Sequence, residues 1–239
     1  KELLKGINID IYADGADLND MDNVKSEGYV AGFTTNPTLM ERAGVTDYMG
    51  FASDALNVVD GLPISFEVFT DDLDEMVEQA KILSSLGENV FVKIPIMNTK
   101  GEMAYRIIKE LDENNIRLNV TAVFTLEQVK ETLKNMSGNI PHIISVFAGR
   151  IADTGVDPLP IMKESLNLIK NHSEGIKLLW ASPREIFNLY QADEMGCDII
   201  TVTPSQLSKL KLRNKDLHEF SRETVLMFYN DATKSGYKI

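Results

Sequence analysis

The sequence predicts an α/β fold: a TIM (β/α)8 barrel spanning residues 1–239 as one domain, with a C-terminal helical extension at about 213–235. Three observations predict it. Short apolar runs rich in β-branched residues recur eight times, separated by segments of helical period. Most of these runs lack a polar alternation, as parallel strands covered on both faces do. The 239 residues also suit a barrel, whose usual size is about 250 residues. Alternating strands and helices imply right-handed βαβ units. An open doubly wound sheet is the competing arrangement. Against it, no Gly-x-Gly-x-x-Gly follows the first run and no P-loop appears.

In chain order, NIDIYA (8–13) reads as the first strand, followed by a weak helical segment at 18–27. YVAGF (29–33) comes next, then a helix at 48–59 and the strand LPISFEV (62–68). The clearest helix is 71–86, where Leu73, Met76, Val77, Ala80, Leu83 and Leu86 keep a three-to-four spacing. Thr70 is its expected N-cap and Gly87 its expected stop. NVFVKIPI (89–96), IRLNVTAV (116–123), PHIISVF (141–147), IKLLWA (176–181) and DIITVT (198–203) complete the strands. Helices are expected between them at 102–114, 125–135, 158–171 and 183–195, then weakly at 204–211 and finally at 215–233. That last helix exceeds what a barrel needs, so it either covers the barrel or crosses to another subunit.

The bulk composition narrows the function. The 36 acidic and 24 basic residues give a net charge of −12, which disfavours nucleic acid and anionic membranes as partners. No apolar run is long enough for a transmembrane helix. The chain starts with lysine, which leaves room for a trimmed leader. Cys197, the only cysteine, has no internal disulfide partner and fits a reducing, cytoplasmic setting. His142, His172 and His218 show no metal-ligand spacing, so neither metal nor cofactor is expected. No Gly-x-Ser-x-Gly elbow is present. Cys197 and Trp180 read as packing.

Barrel enzymes carry their chemistry at the C-terminal ends of the strands. There the sequence puts Asp14, Thr34 with Asn36, Glu67, Lys93, Asn119 with Thr121, Arg150, and Ser182 with Arg184. Each also fits a plainer role. Asp14 fits a turn cap, the Thr-Thr-Asn-Pro step at 34–37 a helix start, Asn119 and Thr121 polar filler, and Arg150 a surface pair with Asp153. Their convergence from several strands on one rim is the argument for a site. Lys93 says most, because it interrupts the apolar strand VFVKIPI. Attack on a carbonyl needs a neutral amine, and burial favours the neutral form of a lysine. The chemical reading is a Schiff-base nucleophile. The plain reading is a lysine that snorkels outward or pairs with Glu67.

These residues resemble the transaldolase family, in particular its small-subunit, fructose-6-phosphate-aldolase-like group of class I Schiff-base aldolases. GFTTNPTLM (32–40), VFVKIPI (90–96), LNVTAVF (118–124), VFAGRIAD (146–153) and WASPRE (180–185) follow the family's order and spacing. The resemblance covers about residues 9 to 230. It implies a metal-free transfer of a dihydroxyacetone unit from a ketose phosphate, sedoheptulose 7-phosphate or fructose 6-phosphate, to an aldose phosphate in the pentose phosphate pathway. Lys93 would form the imine and Asp14 would take the proton of the donor's C4 hydroxyl. Glu67 and Thr121 would hold the relay water. Asn36 and Asn119, with Thr34 beside them, would bind the three-carbon unit. Arg150, Ser182 and Arg184 would hold the phosphate. The resemblance also implies a homo-oligomer, a pentamer or decamer.

Glu67 and Phe147 are similar to transaldolases, whereas the aldolase branch resembles itself in having glutamine and tyrosine there. A phenyl ring supplies no proton to the covalent intermediate, so Phe147 favours transfer over release. Met97, Gly15, Pro183 and the longer MNTKG loop depart from the family pattern and bear on the acceptor. Two alternatives stand: an aldolase that releases free dihydroxyacetone, and a sugar-phosphate-binding barrel without turnover.

Overall fold

The computed structural model describes residues 2–239. Eight parallel strands close into a barrel in the order of the sequence. They are β1 (Asp10–Asp14), β2 (Gly32–Thr34), β3 (Ile64–Glu67), β4 (Val90–Pro95), β5 (Leu118–Val123), β6 (His142–Val146), β7 (Ile176–Trp180) and β8 (Ile199–Val202). Each falls on one of the eight predicted runs, and β8 returns to pair with β1.

The helices are α1 (Leu18–Glu27), α2 (Pro37–Arg42), α3 (Tyr48–Val59), α4 (Leu73–Ser84), α5 (Tyr105–Glu113), α6 (Leu126–Lys134), α7 (Ala148–Asp153), α8 (Leu159–His172), α9 (Phe187–Glu194), α10 (Pro204–Leu207) and α11 (Leu217–Ser235). Short acidic or hydroxyl side chains start several of them by accepting a free N–H of the first turn: Asp17 for α1, Asp47 for α3, Thr125 for α6. The predicted cap of α4 is corrected. Asp72, not Thr70, accepts from the backbone of Asp74 and Glu75, and the Thr70 hydroxyl instead donates to Glu75. Nor does Gly87 stop α4; the helix ends at Ser84, with Ser85 as its cap.

Residues alternate between two apolar layers. Val90, Val92 and Ile94 point out to the helices and join the large cluster that contains Ala80, Ile107 and Leu189. Tyr12, Ile143, Leu179, Ala181 and Ile199 pack inside the barrel. Two residues further along these same inward rows come Asp14, Ser145 and Thr201, so the apolar plug ends where the polar mouth begins.

At the opposite end, His142 is shut in. Its Nδ1 accepts the Leu118 N–H at 3.0 Å, and its Nε2 lies 2.7 Å from Asp112 Oδ1. A nitrogen that accepts an N–H carries no proton, so the neutral Nε2–H tautomer is fixed. Burial holds the imidazole pKa below its ordinary value, against the pull of Asp112.

The last helix, α11, starts at Leu217, later than the expected extension, and has no buried residue. Leu217, Val225, Phe228 and Tyr229 are exposed along it. Among the described residues, no helix is long and apolar enough to cross a membrane.

Candidate active site

A cavity of about 650 Å³ opens at the C-terminal ends of the strands. All of the sequence-predicted site residues line it: Asp14, Thr34, Asn36, Glu67, Lys93, Asn119, Thr121, Phe147, Arg150, Ser182 and Arg184.

Lys93 stands on β4 facing inward and is 7% exposed. Its ammonium donates to the Thr35 carbonyl at 2.9 Å and lies 3.8 Å from Glu67 Oε2. Pairing with Glu67, the plain reading of this lysine, is therefore present, but the pair faces a cavity rather than the outer surface. Snorkelling is excluded by the burial.

Register delivers the two carboxylates beside it. Glu67 pairs with Lys93 across β3 and β4, and Asp14 pairs with Thr34 across β1 and β2. Burial pushes the Asp14 carboxyl above its usual range, against Lys93 and a hydrogen bond from Thr34. Burial likewise raises Glu67, with Lys93 pulling down and Asp14 pushing up. Two reluctant carboxylates thus share one ammonium, the arrangement expected of groups that exchange protons.

Each residue of the Thr-Thr-Asn-Pro step has a distinct task. The Thr34 hydroxyl donates to Asp14 Oδ1 at 2.9 Å. Thr35 donates its hydroxyl to the Ser65 carbonyl at 2.8 Å, and its own carbonyl receives Lys93. Asn36 Oδ1 accepts the Leu39 N–H at 2.9 Å and caps α2, while Pro37 takes the first helical position. The helix-start reading of this step holds alongside the site reading, and it leaves the Asn36 amide nitrogen for a ligand.

Asn119 is fully buried. Its Oδ1 accepts from Ser145 at 2.6 Å and its Nδ2 donates to Ser65 at 3.1 Å. One N–H of the amide then remains free. Two residues later β5 breaks register against β6, and Ala122 takes φ 59°. Such bulges re-aim side chains beside active sites, and here the bulge directly follows Thr121.

On the far side, Phe147 stacks on Phe124 with ring centroids 5.8 Å apart. Arg150 is exposed on α7 and does not form the surface pair with Asp153 that was the plainer alternative for it. Asp153 bonds Arg184 instead, accepting from Nε at 3.0 Å and from Nη2. The side-on pair leaves the outer edge of Arg184 available. Ser182 adopts φ 56°, and its carbonyl lies where a side chain on Gly149 would stand, 1.5 Å from an added Cβ. Gly149 therefore lets the β7 loop lie against α7, which brings Ser182 and Arg150 to one wall. Gln206 Nε2 ties the same loop down through the Pro183 carbonyl at 2.7 Å.

Sequence reasoning missed Ser145, Thr201, Gln206 and Arg42, all of which line the cavity. Strand alternation was the available signal for the first two, since Ser145 and Thr201 follow the inward Ile143 and Ile199. The MNTKG loop turns away from the cavity: Asn98 Oδ1 accepts from Lys100 and Glu102, and Thr99 bonds Asp71.

The family model described as Transaldolase/Fructose-6-phosphate aldolase matches residues 11–238. This chain belongs to that family. A Thermoplasma volcanium protein named "Probable transaldolase" is 34% identical over 226 residues, covering 94% of this chain and 95% of its own. One of the same name from Thermoanaerobacter sp. is 29% identical over 228 residues, covering 95% and 99%. This family member is thus an enzyme of the aldolase/transaldolase type. Among solved structures, KGPDC from Streptococcus mutans superposes with a TM-score of 0.52 at 13% identity, covering 83% of this chain and 88% of the other. That likeness concerns the barrel alone.

Proposed function

We propose that the protein is a transaldolase that moves a dihydroxyacetone unit from fructose 6-phosphate or sedoheptulose 7-phosphate to an aldose phosphate. The observation that carries this reading is the buried Lys93 ammonium, 3.8 Å from Glu67 and facing the same cavity as Asp14. Once Glu67 or its water has taken a proton, Lys93 Nζ attacks the donor's C2 carbonyl. Water leaves and a protonated imine forms. Asp14 removes the C4 hydroxyl proton, the C3–C4 bond breaks, and its electrons move into the imine to give a neutral enamine. The shortened aldose phosphate departs. The enamine carbon attacks the acceptor aldehyde, Asp14 returns its proton to the new hydroxyl, and hydrolysis frees Lys93. Thr121 helps Glu67 hold the relay water, and Asn36 and Asn119 donate to hydroxyls of the three-carbon unit. Arg150, Ser182 and Arg184 hold the phosphate from the opposite wall.

Glu67 and Phe147 support transfer rather than release, because neither a phenyl ring nor the stacked Phe124 supplies a proton to the enamine. The exposed apolar residues of α11 support a homo-oligomer, the lone cysteine fits a cytoplasmic setting, and the family resemblance implies the pentose phosphate pathway. The test is borohydride reduction in the presence of fructose 6-phosphate, followed by peptide mass spectrometry. One reduced sugar-derived unit is expected on Lys93. An adduct elsewhere, or full activity in Lys93→Ala, overturns the assignment. Free dihydroxyacetone as the main product, with erythrose 4-phosphate present, would make the protein an aldolase instead.

A further inference from the structure

We propose that Thr201 is a positioning residue for Asp14, acting through Thr34 by a chain of hydrogen bonds across the inside of the barrel. The proposal rests on the role given to Asp14 above. β1 lies between β8 and β2, so Thr201 and Thr34 flank the strand that carries Asp14. Thr201 is 6% exposed and Thr34 2%. Their hydroxyl oxygens are in hydrogen-bond contact. A hydroxyl has one proton to give. Thr34 gives its proton to Asp14 Oδ1 at 2.9 Å, so it accepts from Thr201. The chain therefore runs Thr201 to Thr34 to Asp14.

Two consequences follow. Donation into Thr34 polarises its own O–H and strengthens the bond to Asp14. It also occupies a Thr34 lone pair and restrains the rotor, so the proton stays aimed at the carboxylate. A hydrogen bond to the charged form favours that form, and the Thr34 bond already opposes the burial that raises Asp14. Asp14 must be ionised to receive the donor's hydroxyl proton. The chain keeps the base charged in a pocket that disfavours charge. Its value is in readiness for proton transfer, because the Thr34 proton is committed to the Asp14 carboxylate.

The experiment compares Thr201→Val, which removes the hydroxyl at similar shape, with Thr201→Ser, which keeps it. The pH dependence of kcat/KM is measured with fructose 6-phosphate and erythrose 4-phosphate, together with kcat, KM and thermal midpoint. In Thr201→Val the acid limb should move to higher pH and kcat should fall about three- to tenfold, as expected for losing one cooperative partner of a charged hydrogen bond. KM should stay within about twofold, since binding groups are untouched. Thr201→Ser should restore the wild-type limb. An unmoved limb in a folded Thr201→Val protein overturns the proposal, as does Thr201→Ser behaving like Thr201→Val. If Thr201→Val does not fold, Thr201→Ala is read in the same way. It must move the limb in the same direction, and an unmoved limb there overturns the chain. Asp14→Asn separates the two levels: an acid limb that survives in Asp14→Asn refutes Asp14 as the base, whereas its loss there with an unmoved limb in Thr201→Val refutes only Thr201.

Discussion

Gly149→Ala is a one-carbon change whose effect follows from the backbone. An added Cβ would stand 1.5 Å from the Ser182 carbonyl oxygen and 2.6 Å from its carbon, whereas real Cβ atoms essentially never come within 3.0 Å. Something must therefore move by roughly 1.5 Å, and neither partner is a flexible side chain. The Ser182 side is already at φ 56° and is clamped by Gln206 through the Pro183 carbonyl, so α7 and the β7 loop must separate. Overpacking of this kind costs about 1–3 kcal/mol. That corresponds to a fall in Tm of roughly 2–12 °C for a chain of this size. The separation also pulls Arg150 away from Ser182. A displacement of about 1 Å in a binding constellation costs on the order of 10²-fold in rate. We expect kcat/KM for fructose 6-phosphate to fall by about that factor, read by coupled release of glyceraldehyde 3-phosphate, with a much smaller loss for unphosphorylated donors. Gly15→Ala is the control, because nothing lies within 4 Å of its Cβ although it neighbours Asp14. A Gly149→Ala enzyme with wild-type Tm and wild-type kinetics on the phosphorylated donor would refute the reasoning.

Phe147→Tyr adds one hydroxyl at the cavity wall, and if it reaches the enamine or the relay water it supplies the missing acid. Free dihydroxyacetone should then rise while transfer to erythrose 4-phosphate falls, and an unchanged product ratio would reduce Phe147 to packing. His142→Asn should flatten the dependence of Tm on pH. With the folded-state pKa of His142 lowered by burial, the unfolded chain binds a proton that the folded chain refuses, so its contribution to stability is present above about pH 6.5 and is lost as pH falls from there toward the folded value. Asp14 and Glu67 act with the opposite sign. Their raised folded pKa values make the folded chain bind protons more readily, so the variant and not the wild type alone isolates the histidine. Identical Tm slopes between pH 5 and 7 in both proteins would contradict an imidazole that burial keeps neutral in the folded chain.

The barrel was legible because parallel strands buried on both faces lack polar alternation, and most of the eight runs carry that signature. Lys93 stood out against this background. The helices of ten or more residues were legible by period. α7 was not, and α2 only at its Thr-Thr-Asn-Pro start, since six residues hold less than two turns and leave no repeat to read. Thr70 was mistaken for a cap because it stands two residues before Asp72: its hydroxyl accepts only the Asp72 N–H, whereas the Asp72 carboxylate accepts those of Asp74 and Glu75 and starts the helix. The hydroxyls of Ser145 and Thr201 were overlooked for the reason that made the strands visible: serine and threonine are ordinary in strands. Only the inward parity shared with Ile143 and Ile199 marks them out. The Arg184–Asp153 pair was beyond reach, because any of the neighbouring cations fits Asp153 in sequence and only the loop geometry chooses among them.

The electrostatics of the mouth favour a lysine imine over most other uses of a buried amine. In the free protein, the Lys93 ammonium sits between a backbone carbonyl at 2.9 Å and the Glu67 carboxylate at 3.8 Å. A protonated imine on the same nitrogen carries the same charge at nearly the same place. The field that stabilises the resting state therefore serves the intermediate without reorganisation. The enamine differs, being neutral, and its formation leaves two burial-raised carboxyls facing no cation. They can relax only by holding protons or by recovering the positive nitrogen. On the proposed mechanism, Asp14 has just taken a proton from the donor's hydroxyl, which removes one of the two charges. Attack of the enamine on an aldehyde regenerates the iminium beside Glu67 and lets Asp14 hand its proton to the new alkoxide. Protonation of the enamine carbon also regenerates the iminium, but it needs an acid placed at that carbon, and the Phe147 ring that lines the cavity supplies none. On the proposed mechanism, the charged Glu67 thus favours recovery of the positive nitrogen by capture, while the Phe147 ring withholds the competing proton.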